Sequence, residues 1–341
     1  MPPPCARWSG CSPNFPGASC SPPTAPASPA SRIPPGGSRT AASRRSTARR
    51  RCSTTSGGRP SPAPSKPCRE MQRMEPVFTT LREDARLGYW LQAPPTPDDG
   101  APILVAVHGV SRNAAEHAEA FRGLAAECGM ALVAPLFSKE LFPDYQRLGR
   151  RGRGLRADLA LEAILSDVRR RLGLETRRIH LFGFSGGAQF AHRYALAYPE
   201  RVAGLMLAAA GWYTLPDPSL PFPRGLAPCD RLPDLRFSLP AFLRIPTTVF
   251  VGERDTRRDE VLNRARILDR RLGSHRFERA RRWVELLAAA AEELGIPARP
   301  RFVPLPDSDH EFASCIAPDR GDLPGRMREC LGTAPSPPLA A

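Results

Sequence analysis

Hydrophobic residues change their spacing several times between residues 86 and 305, and each change marks a different element. Residues 86–92 alternate, with Leu87, Tyr89 and Leu91 on one side, the pattern of a strand covered on one face. Residues 103–107, 130–135, 179–182, 202–210 and 247–251 are nearly unbroken apolar runs, which suit strands covered on both faces, and 301–305 reads as a last strand. Between these runs the period lengthens. Ala114, Ala118, Phe121, Leu124 or Ala125, and Cys128 recur at three and four residues behind Asn113, a candidate N-cap, and stop at Gly129. Leu161, Ile164, Leu165, Val168 and Leu172 form a second stripe closed by Gly173. Residues 188–198 form a third helix ended by Pro199, and Phe277, Ala280, Val284, Leu287, Ala291 and Leu294 mark a fourth over about 274–294. Strands alternating with helices specify an α/β fold: a doubly wound, mostly parallel sheet flanked by helices, expected over residues 74–330.

Two stretches break the rhythm. Residues 137–154 read as an irregular loop, and the basic run 147–156 as solvated surface. Between 211 and 245 periodicity vanishes, and seven prolines from Pro216 to Pro240 exclude long helices and central strands. An insert this long is usually functional, so residues 212–245 are expected to form a proline-rich lid, with Trp212, Tyr213, Phe222 and Phe237 walling an apolar substrate pocket. An exposed insertion remote from any site is the alternative.

Composition divides the chain. Residues 1–73 hold twelve Arg or Lys against one acid, Glu70, and so carry +11 of the formal +15. Rich in Pro, Ser, Gly and Arg, they cannot bury enough apolar surface to offset chain entropy, and a disordered tail is expected. Either an upstream extension ahead of a start at Met71 or Met74, or a genuine basic arm, fits that composition. Charge alone points to nucleic acid binding through residues 32–59. The folded part is only mildly basic, and no nucleic acid partner is expected for it. The tail lacks the continuous apolar run of a secretory signal, and no stretch is long and apolar enough to span a membrane, so the expected location is the cytoplasm. Cys5, Cys11, Cys20, Cys52 and Cys68 fit no zinc spacing. Cys128, Cys229, Cys315 and Cys330 are expected as free thiols, a Cys315–Cys330 bridge requiring export. Residues 331–341 read as a frayed end.

The chemistry lies at the apex of the 179–182 strand and its following helix, in Gly183-Phe184-Ser185-Gly186-Gly187. A serine on so sharp a turn needs small residues two before and two after it, which Gly183 and Gly187 supply. A nucleophile there requires an acid and then a histidine at the ends of later strands. His310, just past the last strand, is the better candidate base; His275 is more easily a loop residue. Asp255, past the 247–251 strand, is the matching acid, with Glu253 and Asp259 as fallbacks. His108-Gly109 follows an early strand. Gly109 lets the backbone pass close to the serine, so the amides of Val110 and Gly186 are candidate oxyanion donors. Arg112 is a candidate either for a substrate carboxylate or for a bridge between loops. His117 and His192 read as helix residues, packed or exposed, and His180 as core.

His108-Gly109, Gly183-Phe184-Ser185-Gly186-Gly187, Gly252-Glu253-Arg254-Asp255 and Asp309-His310 together resemble the α/β-hydrolase superfamily over about residues 75–330. Within it the chain is similar to compact esterases related to polyhydroxybutyrate depolymerases and feruloyl esterases. The resemblance implies a carboxylesterase-type serine hydrolase acting on a small-molecule acyl ester. Ser185 would be the nucleophile, His310 general base then acid, and Asp255 its orienting carboxylate, with no metal or organic cofactor. A serine peptidase or acylaminoacyl-type hydrolase uses the same triad, and a non-catalytic binding protein on the same scaffold would lack part of it.

Overall fold

The computed structural model describes residues 75–332, apart from Pro97 and Thr176. The tail at 1–73 with its five cysteines, and residues 333–341, lie outside the described residues.

Eight strands form one sheet: β1 (Val77–Thr80), β2 (Gly88–Gln92), β3 (Ile103–Val107), β4 (Ala131–Leu136), β5 (Ile179–Phe184), β6 (Val202–Ala208), β7 (Thr247–Gly252) and β8 (Arg301–Leu305). Their order is β1-β2-β4-β3-β5-β6-β7-β8. β2 pairs antiparallel with both β1 and β4, and every pairing from β4 through to β8 is parallel. The apolar runs are explained by cover on both faces. Ile103, Val105 and Val107 enter one core, while Leu104 and Ala106 enter the other.

Helix α1 (Ala114–Glu127) covers the second face with Phe121, Leu124 and Ala125, beside α7 (Phe312–Ile316) and α8 (Leu323–Gly332), which contributes Met327. The opposite face is covered by α2 (Ala157–Leu172), α3 (Gly186–Ala197) and α6 (Arg276–Glu293), with the short α5 (Arg266–Leu272) packed against α6. Gly173, at φ 68°, closes α2 in the left-handed region that glycine adopts most cheaply.

Local details depart from the sequence reading. Asn113 precedes α1 but makes no capping bond: its side-chain oxygen accepts from the Ser111 hydroxyl at 2.9 Å, and its side-chain amide donates to Glu116 at 2.7 Å. The 274–294 helix starts at Arg276 with His275 as its N-cap, Nδ1 accepting from the Glu278 amide at 3.3 Å. Leu294, expected on its buried face, is exposed. The Cys315–Cys330 bridge is not made. Cys315 is a buried thiol whose pKa is pushed up to about 12 by burial.

The 212–245 insert is packed down through its aromatic rings. A short helix, α4 (Leu239–Leu243), forms within it, because Pro240 falls in the first turn, where no amide is needed, and Ser238 Oγ accepts from the Ala241 amide. Tyr213 stacks on Trp283 with ring centroids 4.5 Å apart, and Phe222 stacks on Phe237 at 4.6 Å. Trp212 lies under the Arg193 guanidinium, 4.1 Å from its ring centroid. The Trp283 indole donates to the Thr214 carbonyl at 2.8 Å, and the Thr214 amide donates to His192 Nε2 at 3.0 Å. Trp212 and Tyr213 are therefore core, sewn to α3 and α6, while Phe222 and Phe237 pack on one another.

Candidate active site

Ser185 sits between β5 and α3 at φ 52°, ψ −108°, a conformation that costs a non-glycine residue of order 1–3 kcal/mol. The surroundings enforce it. A Cβ on Gly183 would lie 2.3 Å from the Gly187 carbonyl oxygen, and one on Gly187 would lie 2.1 Å from the Val107 oxygen. Both contacts are with backbone, so only glycine fits at either position, and the strand-to-helix turn closes as tightly as the two glycines allow. The Ser185 amide is held by the Ala208 carbonyl at 2.7 Å, which anchors the turn to β6.

Three separate segments meet there. Ser185 Oγ donates to His310 Nε2 at 3.1 Å, and His310 Nδ1 donates to Asp255 Oδ2 at 2.8 Å. Asp255 is almost wholly buried, whereas His310 keeps a solvent-facing edge. The other Asp255 oxygen faces Arg276 Nη1 at 3.4 Å, and Arg276 grips Asp259 with bonds of 2.7 and 3.0 Å. Asp259 thus serves Arg276 rather than His310, and Glu253 is exposed. The loops carrying acid and base are tied by backbone: the Arg254 amide donates to the Ser308 carbonyl at 2.9 Å, and the Glu253 amide to Leu305 at 3.0 Å. A Cβ on Gly252 would lie 2.4 Å from the Ser308 oxygen, so this approach also requires glycine. Asp309 stabilises the base loop by accepting from the Glu311 amide and the Ser314 hydroxyl, bonds that hold its carboxyl below the usual range.

His108 has a structural task. The Phe137 amide donates to its Nε2 at 3.0 Å, and its Nδ1 donates to the Gly109 carbonyl at 2.8 Å. Burial pushes its pKa down to about 4, so the ring stays neutral and keeps that tautomer. Gly109 is thereby laid against the nucleophile: a Cβ there would lie 3.6 Å from Ser185 Cβ. Val110 follows, its Cγ1 3.0 Å from the position of a Gly186 Cβ. Among the described residues, neither the Val110 nor the Gly186 amide donates to a protein acceptor. Two unspent N–H groups thus border Ser185 at a helix N-terminus, where negative charge is favoured.

Arg112 bridges loops, donating to the carbonyls of Phe137 at 2.7 Å and Phe142 at 3.2 Å, and its guanidinium lies 4.1 Å from the Tyr145 ring centroid. Spent on backbone, it takes the second of the two roles open to it. A cleft of about 470 Å³ opens beside His310, lined by Arg254, Arg257, Asp259, Glu260, Asp309 and Glu311 among others. Trp212, Tyr213 and Phe222 do not line it, so the apolar pocket expected from them is not formed there. Burial explains the difference: the rings of the insert are spent, with Leu215, Leu226, Leu232 and Leu235, on anchoring it to the core.

Arg193 is a group that sequence reasoning missed. On α3, two turns beyond Ser185, it is fully buried with no carboxylate partner among the described residues, and burial drives its pKa well below normal. Its Nε donates to Thr214 Oγ1 at 3.1 Å and its Nη1 to the Gln146 carbonyl, while Nη2 is unpartnered. Nothing in the helical spacing distinguishes it from a surface arginine.

Among solved structures, the chain is similar to poly(aspartic acid) hydrolase-1 from Sphingomonas sp. KT-1, at 25% identity and a TM-score of 0.61, over 76% of this chain and 98% of that one. It is also similar to LpqC, a poly(3-hydroxybutyrate) depolymerase from Bordetella parapertussis, at 24% identity and a TM-score of 0.61, over 80% and 94% of the two chains. The fold is that of an α/β-hydrolase. No family model and no curated protein matches the sequence. Within the α/β-hydrolase fold, Ser185 occupies the strand-to-helix turn after β5, Asp255 follows β7 and His310 follows β8.

Proposed function

We propose that this chain is a serine hydrolase that cleaves carboxylic esters of small molecules through an acyl-enzyme on Ser185. The observation that carries this reading is the chain of hydrogen bonds from Ser185 through His310 to the buried Asp255, starting from a serine in strained backbone. Ser185 Oγ attacks the acyl carbon as its proton passes to His310 Nε2. The carbonyl oxygen becomes an oxyanion facing the Val110 and Gly186 amides, where losing one such donor costs about 2.7–4 kcal/mol of barrier. Asp255 fixes the imidazole tautomer and stabilises the imidazolium. Collapse breaks the ester bond, His310 protonates the departing alkoxide, and the acyl group remains on Ser185. Water then gives a proton to His310 and attacks the acyl carbon, releasing the acid and restoring the serine.

A fluorophosphonate probe tests the reading. Ser185 is expected to label, Ser185→Ala to remain folded and unlabelled, and the same substitution to abolish hydrolysis of short p-nitrophenyl esters. Undiminished hydrolysis by Ser185→Ala would overturn it.

A further inference from the structure

Resting on the reading of Ser185 as nucleophile, we propose that the side-chain amide of Gln146 is a third donor to the acyl oxygen, beside the amides of Val110 and Gly186. Gln146 lies in a short 3-10 turn, Tyr145–Arg147, within the stretch expected to be an irregular loop. That turn is packed against α3 and the nucleophile. A Cβ placed on Gly186 would lie 2.4 Å from Tyr145 Oη, 3.0 Å from Val110 Cγ1 and 3.1 Å from Gln146 Nε2.

This distance limits where the carboxamide is. A residue's amide nitrogen lies about 2.5 Å from its own Cβ position, so Gln146 Nε2 is at most about 5.6 Å from the Gly186 nitrogen. Two donors each about 2.9 Å from one oxygen can stand up to about 5.8 Å apart, so this separation permits both to reach a single oxyanion. Val110, the other donor residue, borders the same point.

The turn is fixed in place while the carboxamide remains unspent. Tyr145 is fully buried and donates to the His108 carbonyl at 3.0 Å. The Gln146 carbonyl accepts from the buried Arg193, and the Leu148 amide closes the turn on the Tyr145 carbonyl at 2.9 Å. The Gln146 carboxamide makes no hydrogen bond to protein among the described residues. The turn is thus held by His108, by α3 and by its own closing bond, and the carboxamide is left beside Gly186. A neutral N–H suits that place, since it stabilises the oxyanion without binding an anion in the resting site.

The test uses the full chain with Gln146→Ala and Gln146→Glu, p-nitrophenyl esters as substrates and phenylboronic acid as a tetrahedral mimic. In Gln146→Ala, kcat is expected to fall about 100-fold, with boronate affinity weakened in parallel and KM within about threefold of the parent. Gln146→Glu, similar in shape but without the donor and with a negative charge, is expected to lose at least as much, while both variants keep the parent melting temperature. A kcat within about twofold of the parent in Gln146→Ala, or a change confined to KM, overturns the proposal. Fluorophosphonate labelling separates the two levels. A parent that labels at Ser185 while Gln146→Ala shows unchanged kcat sinks the Gln146 role alone, and a parent that neither labels nor hydrolyses sinks the serine-hydrolase reading with it.

Discussion

Arg276 lies 3.4 Å from the one Asp255 oxygen that His310 does not use. The pair is almost wholly buried, and Arg276 also holds Asp259 with two bonds, so one cation serves two carboxylates of which a single one touches the base. Asp255→Asn is therefore expected to reduce kcat by about 10⁴-fold, since the amide cannot hold the required tautomer. Asp259→Asn, which leaves Asp255 and His310 in contact, is expected to cost less than about tenfold. Equal losses in the two variants would show that Asp259 shares the orienting role. Arg276→Met leaves Asp255 without its cation and is expected to destabilise the fold by about 3–5 kcal/mol, read from denaturant unfolding.

Glycines separate turn geometry from helix propensity. Gly187 leaves no space for a methyl group against the Val107 and His108 carbonyl oxygens, 2.1 and 2.6 Å from its Cβ position. Gly187→Ala is expected to yield little soluble protein, or a fold weakened by more than about 3 kcal/mol. Gly123, exposed in the middle of α1, has nothing within 4 Å of its Cβ position. Gly123→Ala is expected to raise stability by about 0.5–1 kcal/mol, because alanine loses less entropy on entering a helix. A melting curve for each variant decides both, and a neutral Gly187→Ala would mean that the turn is looser than drawn.

What the sequence showed depended on whether a residue's role was local. Ile103–Val107 was legible to the residue, because a run covered on both faces leaves an unbroken apolar signature, and Arg301–Leu305 was placed to the residue as well, although it is a half-buried strand at the sheet edge. The meeting of Ser185, Asp255 and His310 was legible as well, since each sits just past a strand. β1 was not: of its four residues, Val77, Phe78 and Thr80 are exposed, so no hydrophobic face marks it. α8 was missed because Pro324 interrupts the pattern, although in a first turn it is tolerated. The aromatic rings of the insert were read as a pocket wall because sequence shows that a ring needs burial but not what buries it; Trp283 and Arg193 supply the partners from distant helices. Gln146 was invisible for the same reason, as its placement depends on Arg193 and Gly186, which lie some forty residues further along the chain.

His117 is one of the buried histidines that make the fold's stability depend on pH. It is fully buried on α1, stacked on Phe312 with centroids 4.0 Å apart, and neither ring nitrogen has a partner. Burial lowers its pKa well below the ordinary value of 6.5, as it does for His192, and it lowers that of His108 to about 4. These imidazoles resist protonation in the folded chain, whereas the unfolded chain takes up protons below pH about 6.5. The stability they support is complete above that pH and is lost as the pH falls towards 4, each group adding up to about 1.4 kcal/mol per pH unit. His117→Leu removes one such group and two unpartnered nitrogens, at the loss of ring contacts worth about 0.5–1.5 kcal/mol. The variant is expected to match or exceed the parent by up to about 2 kcal/mol at pH 7, and to outperform it increasingly at pH 6 and 5. Unfolding free energies from denaturant titrations at the three pH values measure the difference in slope. Parallel lines for the two proteins would mean that the His117 ring is protonated as easily in the fold as outside it.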